Sequence, residues 1–221
     1  MSRLDRVRTA ATGLLVASVL LSCSGSAPEI LFPDTRLSLV LDPASGSVAE
    51  VLRLFVAVRD SDGTGDPARI FVINDESGLY WEIDSETWVA LQYGGDDWYG
   101  VPDLRLPDGG YLPRGRYRLI VEDQSLSRDE AEFFITAERE ARDEPFPRLA
   151  LDESPPRVVF SAPVVVRAYA RDGQLIVERV VAPGALPQDF LARIPEETGV
   201  QLFVSSTGDR MRRQTGPYAA P

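Results

Sequence analysis

Hydrophobic and polar positions alternate with a period of two along much of the chain, and this pattern predicts β-strands with one buried face. Residues 52–59 read Leu-Arg-Leu-Phe-Val-Ala-Val-Arg, with aliphatic side chains at every second position. Residues 70–73 are continuously apolar, as in a strand buried on both faces. Further strands are predicted at residues 80–83, 87–93, 103–106, 116–122 and 130–136, between clusters of Gly, Asp and Pro. Six to eight short strands within residues 33–138 predict an antiparallel β-sandwich.

A smaller second module is predicted after segment 139–146, which is charged, ends in proline and has the composition of a linker. Strands are predicted at residues 157–160, 164–170, 174–181 and 200–204, with a hairpin turn at 171–173. One short helix is expected over residues 186–194, with Pro187 at its first position and Pro195 ending it. Because residues 147–221 are few for a separate core, this β-rich module is expected to pack against the sandwich. The predicted fold class is therefore all-β.

One predicted strand carries a motif of a known family. The sequence Gly115-Arg-Tyr117, followed by alternating apolar residues, resembles strand F of immunoglobulin-like and fibronectin type III-like domains. The resemblance implies that the Tyr117 hydroxyl bonds back to the preceding loop, while Leu119 and Val121 enter the core. It also implies that Trp81 fills the sandwich core, and that residues 130–136 form the last strand.

The N-terminal segment has the layout of an export signal. Three arginines lie within the first eight residues, and an apolar stretch follows over residues 10–21. The stretch ends in Leu20-Leu21-Ser22-Cys23, which resembles the lipobox of bacterial lipoproteins. The resemblance implies a signal peptide over residues 1–22, diacylglyceryl and N-acyl chains on Cys23, and a tether over residues 23–32. The alternative is a signal peptide cut elsewhere, which leaves Cys23 as a free thiol.

The composition excludes several classes of enzyme. The 221-residue chain has one cysteine and no histidine, and every basic residue is an arginine. Without histidine there is no Ser-His-Asp or Cys-His pair, and without lysine there is no Schiff base. If Cys23 carries lipid, the mature protein also has no free thiol. No cofactor other than the covalent lipid is expected, apart from the calcium considered below.

The charge bears on partners and on location. Removal of residues 1–22 takes away three arginines and one aspartate, so the formal charge changes from −11 to −13. Such a chain repels phosphate backbones, which makes nucleic acid an improbable partner. The membrane attachment is therefore assigned to the lipid, with the outer membrane preferred over the inner. Arg210, Arg212 and Arg213 form a basic cluster near the C-terminus that can contact lipid headgroups or an acidic partner, although a solvated tail is the simpler interpretation.

An aspartate-rich turn is a weak candidate for a calcium site. Asp60, Asp62 and Asp66 lie on one predicted loop, and carboxylate oxygens are ligands that calcium prefers. The spacing departs from that of the EF-hand, because Thr64 stands where an acidic or amide residue is needed. Aspartate and glycine are also the ordinary residues of tight turns. A turn without metal is therefore the competing interpretation.

Aromatic and acidic residues suggest a second candidate site. Trp88, Trp98 and Tyr99 lie close to Asp96 and Asp97 in the sequence, and exposed rings beside carboxylates are a means of binding sugars. The alternative is that these rings pack in the core or on a sheet face. Trp98 and Tyr99, next to a glycine-rich turn, are expected to be the most exposed.

A catalytic carboxylate pair is the least supported possibility. Asp96 and Asp97 are adjacent, so on a strand they point to opposite faces and need a partner such as Glu82 or Asp84. The sequence therefore predicts a lipid-anchored, exported protein that acts without catalysis, as a binding or scaffolding module for an envelope protein or glycan. A carbohydrate-binding lipoprotein is the alternative, and a glycosidase ranks behind it.

Overall fold

The computed structural model describes residues 26–60, 66–139, 144–171, 174–195, 199–207 and 211–220. These residues form fifteen strands and one helix of four residues, α1 (Gln188–Leu191). The predicted all-β fold class is therefore confirmed. In chain order the strands are β1 (Glu29–Leu41), β2 (Val48–Arg59), β3 (Pro67–Asn74), β4 (Leu79–Asp84), β5 (Val89–Tyr93), β6 (Asp96–Leu104), β7 (Gly115–Asp123), β8 (Arg128–Ile135), β9 (Arg148–Ala150), β10 (Arg157–Val159), β11 (Val164–Tyr169), β12 (Leu175–Val181), β13 (Gly184–Ala185), β14 (Gln201–Ser206) and β15 (Arg212–Ala219).

The described strands form three sheets. The largest has eight strands in the order β12-β11-β14-β15-β1-β2-β6-β5. A four-stranded sheet has the order β4-β3-β7-β8, and a three-stranded sheet has the order β13-β10-β9. The pairing is antiparallel throughout, except between β1 and β15, which run parallel.

The sandwich core lies between the four-stranded sheet and the half of the large sheet that contains β1, β2, β6 and β5. Leu52, Leu54 and Val56 of β2 are buried in this core, as their spacing of two residues predicts. Residues 29–32, predicted to belong to the tether, already form the beginning of β1. The strand predicted at residues 103–106 lies earlier in the chain, at Asp96–Leu104.

The C-terminal module shares the large sheet with the sandwich. Strands β11, β12, β14 and β15 cover a second core together with the three-stranded sheet and α1, whose Phe190 is fully buried. The helix is shorter than the sequence predicts, and Pro187 lies at the N-cap position, just before the first turn. A third apolar cluster joins the two halves at Leu39, Leu41, Phe146 and Met211.

Tyr117 ties β7 to the loop that precedes it. The side chain is fully buried, and its hydroxyl donates a hydrogen bond of 2.8 Å to the carbonyl oxygen of Pro113. Its ring stacks on Phe133 at a centroid distance of 5.1 Å. The hydrogen bond that the resemblance implied is thus present, and Leu119 and Val121 are buried beside it.

We expect Tyr117 to make the stability of the protein fall at high pH. Burial raises the pKa of the Tyr117 phenol to about 12, so the native state holds the neutral form more tightly than the unfolded chain does. The resulting stability is fully present below pH 10 and is lost as the pH rises through 12. Urea unfolding between pH 9 and 11.5 should show a loss of about 2 kcal/mol that Tyr117→Phe does not share. Equal pH dependence in the two proteins would contradict this assignment.

Candidate binding face

Four arginines lie on the outward face of the eight-stranded sheet, and we call this cluster the arginine face. Arg36 of β1 pairs with Arg53 of β2, and Ser38 pairs with Arg212 of β15. Because residues 36 and 38 point to the same side of β1, these three arginines share one face. Arg167 of β11 reaches the same face, since its Nη1 donates a 3.0 Å hydrogen bond to the Ser205 hydroxyl of β14. The site is therefore assembled from two strands of the N-terminal half, β1 and β2, and two of the C-terminal half, β11 and β15.

Two of the four arginines have carboxylate partners. Arg53 pairs with Asp34, and Arg167 pairs with Glu178 at 2.5 Å. Among the residues that the structure describes, Arg36 and Arg212 have no such partner. The arginine face is therefore a positively charged surface on a chain whose net charge is negative.

The pKa of the Arg212 guanidinium is lower than that of an ordinary arginine. Burial lowers this pKa, and the positive charges of Arg36, Arg167 and Arg53 lower it as well, against an opposing effect of Glu178. Because neighbouring arginines destabilise one another's charged form, a bound anion stabilises them more than water does. The arrangement is thus suited to binding carboxylate or phosphate groups, which guanidinium groups can hold with two hydrogen bonds.

Aromatic rings lie among the arginines. The Arg53 guanidinium lies 4.6 Å from the ring centroid of Phe55, a cation–π contact that holds the side chain over the sheet. Tyr169 and Phe203 form an edge-to-face pair at 5.7 Å. A Cβ on Gly216 would lie 2.5 Å from Phe203 Cδ1, so glycine at this position leaves room for the ring.

The outward face continues into an apolar region on β1, β6 and β5. Phe32 packs edge-to-face against Trp98 at a centroid distance of 5.0 Å. The side chains of Phe32, Val89 and Leu91 remain 48%, 43% and 46% exposed. Exposed apolar side chains grouped on one face are typical of surfaces that bind another molecule.

The aromatic patch predicted from the sequence is divided between two faces of the sheet. Trp98 points outward toward Phe32, and its Nε1 donates to the Tyr93 carbonyl oxygen at 3.2 Å. Trp88 and Tyr99 belong to the sandwich core and contact each other at 5.2 Å. The expectation that Tyr99 is exposed is wrong, because it lies on β6 with 6% of its surface accessible. The predicted patch therefore does not form one surface.

The acidic candidates make contacts of their own. Asp96 lies 3.7 Å from Arg59, and Asp97 accepts a hydrogen bond from Gln92. A shallow groove of about 390 Å³ is lined by Trp81, Glu82 and Asp103 among others. Its two carboxylates are held by arginines, since Glu82 lies 3.5 Å from Arg69 and Asp103 pairs with Arg105. Asp84 caps the turn that follows β4 by accepting bonds from Glu86 N and Thr87 N.

Two of the predicted calcium ligands meet a third carboxylate that the sequence did not suggest. Asp60 follows β2 and Asp66 precedes β3, and one oxygen of each lies within 4.8 Å of an oxygen of Asp123 at the end of β7. Asp62, the remaining candidate, lies outside the described residues.

The other predicted positions fall in different regions. Arg212 belongs to the arginine face, whereas Arg213 pairs with Glu144 at 2.5 Å. Arg210, Cys23 and the predicted signal peptide lie outside the described residues. In the part of the chain that the structure covers, no helix has the length and hydropathy needed to span a bilayer.

No protein-family model matches the chain, and no curated protein matches it at a significant level. Among solved structures, the chain is similar to dimeric latent PorU from Porphyromonas gingivalis, with 14% sequence identity and a TM-score of 0.33. The match covers 88% of this chain and 20% of that chain. The chain thus spans about a fifth of the length of the protein it matches.

Proposed function

We propose that the mature protein is a lipid-anchored, non-enzymatic binding module of the bacterial cell envelope. The N-terminal resemblance to a lipobox supports export and anchoring through Cys23. The arginine face supports binding, because it concentrates positive charge on an acidic protein and leaves Arg36 and Arg212 without carboxylate partners among the described residues. This concentration of charge is the observation that carries the proposal.

The partner is an acidic surface of another envelope protein. The face of an eight-stranded sheet is a broad surface. Such a surface suits a protein partner, whereas a single sugar is better bound in a cleft. Arginine and aromatic residues are enriched at protein interfaces, and both are present here. The mature chain has a net charge of −13, so its acidic regions repel an acidic partner and favour contact through this face.

Removing the two arginines without carboxylate partners should weaken binding without weakening the fold. In cells that express Arg36→Gln/Arg212→Gln, in-cell crosslinking followed by mass spectrometry should recover the partner at least tenfold less than with the wild type. The melting temperature should stay the same or rise, since the substitutions relieve repulsion. The binding should also weaken with added salt.

Arg116→Gln provides the matched control. Arg116 lies on the four-stranded sheet in an exposed pair with Glu132 at 3.0 Å, so its loss should leave the recovery unchanged. Equal recovery of the partner by the double variant and the wild type would contradict the proposal. Recovery of a glycan in place of a protein would favour the carbohydrate-binding alternative.

A further inference from the structure

Three carboxylates converge at the end of the sandwich where β2, β3 and β7 meet. Asp60 follows the last residue of β2, and Asp66 directly precedes the first residue of β3. Asp123 ends β7 and pairs with Pro67 in the register of β3 and β7. One oxygen from each carboxylate lies within 4.8 Å of the other two. Carboxylates so close to one another repel, unless a cation or a proton lies among them.

Asp123 supplies the observation that points to a ligand. The residue has no accessible surface, and its Oδ1 accepts hydrogen bonds of 2.8 Å from Ser125 Oγ and Ser127 N. Its Oδ2 is equally buried, and no residue that the structure describes donates a hydrogen bond to it. A buried carboxylate oxygen with no donor is strongly unfavourable, and such oxygens in proteins are normally paired or bound to metal.

We propose that Asp60, Asp66 and Asp123 bind a calcium ion. Calcium binds oxygen ligands at about 2.4 Å, so oxygens on one ion lie at most about 4.8 Å apart, and this spacing is met here. Its flexible coordination accepts carboxylates from separate chain segments, with water completing the shell. The ion neutralises the three carboxylates and ties the β2–β3 connection to the β7–β8 hairpin. The proposal does not depend on the arginine face.

Thermal unfolding of the full-length protein in detergent tests this proposal. After removal of calcium with EGTA, 10 mM CaCl₂ should raise the melting temperature by about 3–10 °C, for a dissociation constant of 0.1–1 mM, as in extracellular calcium modules. Asp66→Asn and Asp123→Asn should each abolish this shift. In EGTA, Asp123→Asn should melt no lower than the wild type, because it keeps the Oδ1 contacts and relieves repulsion.

The matched control is Asp108→Asn. Asp108 is exposed and its Oδ1 accepts a bond from Gly110 N, which an asparagine retains, so the calcium shift should remain. If Asp123→Asn does not fold, Asp66→Asn carries the test. An equal shift with 10 mM MgCl₂ would overturn the assignment to calcium. If calcium does not raise the melting temperature of the wild type, the proposal is wrong.

Discussion

Replacing Arg114 with Met is expected to lower the free energy of unfolding by about 3–5 kcal/mol, because it leaves the Glu50 carboxylate buried without its counter-charge. Glu50 has no accessible surface, and its two oxygens lie 2.7 and 2.8 Å from the Arg114 guanidinium. Arg114 also donates to the carbonyl oxygens of Leu112 at 2.8 Å and Ala137 at 2.6 Å. The pair therefore connects β2, the β6–β7 loop and the segment after β8.

Equilibrium unfolding in urea measures this loss, with Arg116→Met as the control. The Arg116–Glu132 pair is exposed, and surface pairs of this kind contribute about 0–1 kcal/mol. Adding Glu50→Gln to Arg114→Met should restore part of the stability, because it removes the uncompensated charge. Similar losses for Arg114→Met and Arg116→Met would show that burial does not govern the contribution of this pair.

The Glu50–Arg114 pair illustrates what the sequence could not predict. The two residues are 64 positions apart. The local sequence around each of them does not distinguish it from an ordinary charged surface residue. Glu50 is buried because the β6–β7 loop folds over it, and its carboxylate also accepts the Leu112 N–H at 2.7 Å. Side-chain partners across such a distance depend on the packed fold, which periodicity does not report.

The strands with the clearest hydrophobic pattern were predicted from the sequence. Residues 52–58 belong to β2, but Phe55 and Ala57 on its outward face are buried as well as the predicted core positions, and the apolar run 70–73 belongs to β3. Strands β1 and β15 were not predicted, although they are central in the large sheet. Strand β15 contains Gly216-Pro217 and few apolar residues, and a proline removes a donor from the ladder. Strand β15 is therefore stabilised by its pairing with β1 and β14 more than by burial of its own side chains.

The arginine face was not predicted, because it depends on pairing between strands that are distant in the sequence. The sequence placed Arg212 in a solvated tail, whereas β15 brings it beside β1 in parallel pairing. Arg36 and Arg53 face each other because β1 and β2 pair in register, which local periodicity does not determine. The calcium candidate was partly predicted, since Asp60 and Asp66 flank one loop, but Asp123 joins them from another hairpin.

The Gly100→Ala substitution is expected to cost at least about 3 kcal/mol, or to prevent folding, because it forces two central strands apart. A Cβ at this position would lie 2.1 Å from Leu54 O and 2.6 Å from Phe55 Cα. Those atoms are backbone of β2, so no side chain can move aside to make room. Next to this close approach, the register shifts between the Leu52–Leu104 and Leu54–Val101 pairs, where β6 has one residue more than β2, which is typical of a bulge.

Gly94→Ala separates this steric effect from the general loss of a glycine. Gly94 lies in the turn between β5 and β6, with open space around its missing Cβ and a φ of +69°, so alanine there should cost only about 1–2 kcal/mol of backbone strain. Urea unfolding of both variants measures the difference. A Gly100→Ala protein as stable as Gly94→Ala would mean that β2 and β6 can separate at little cost.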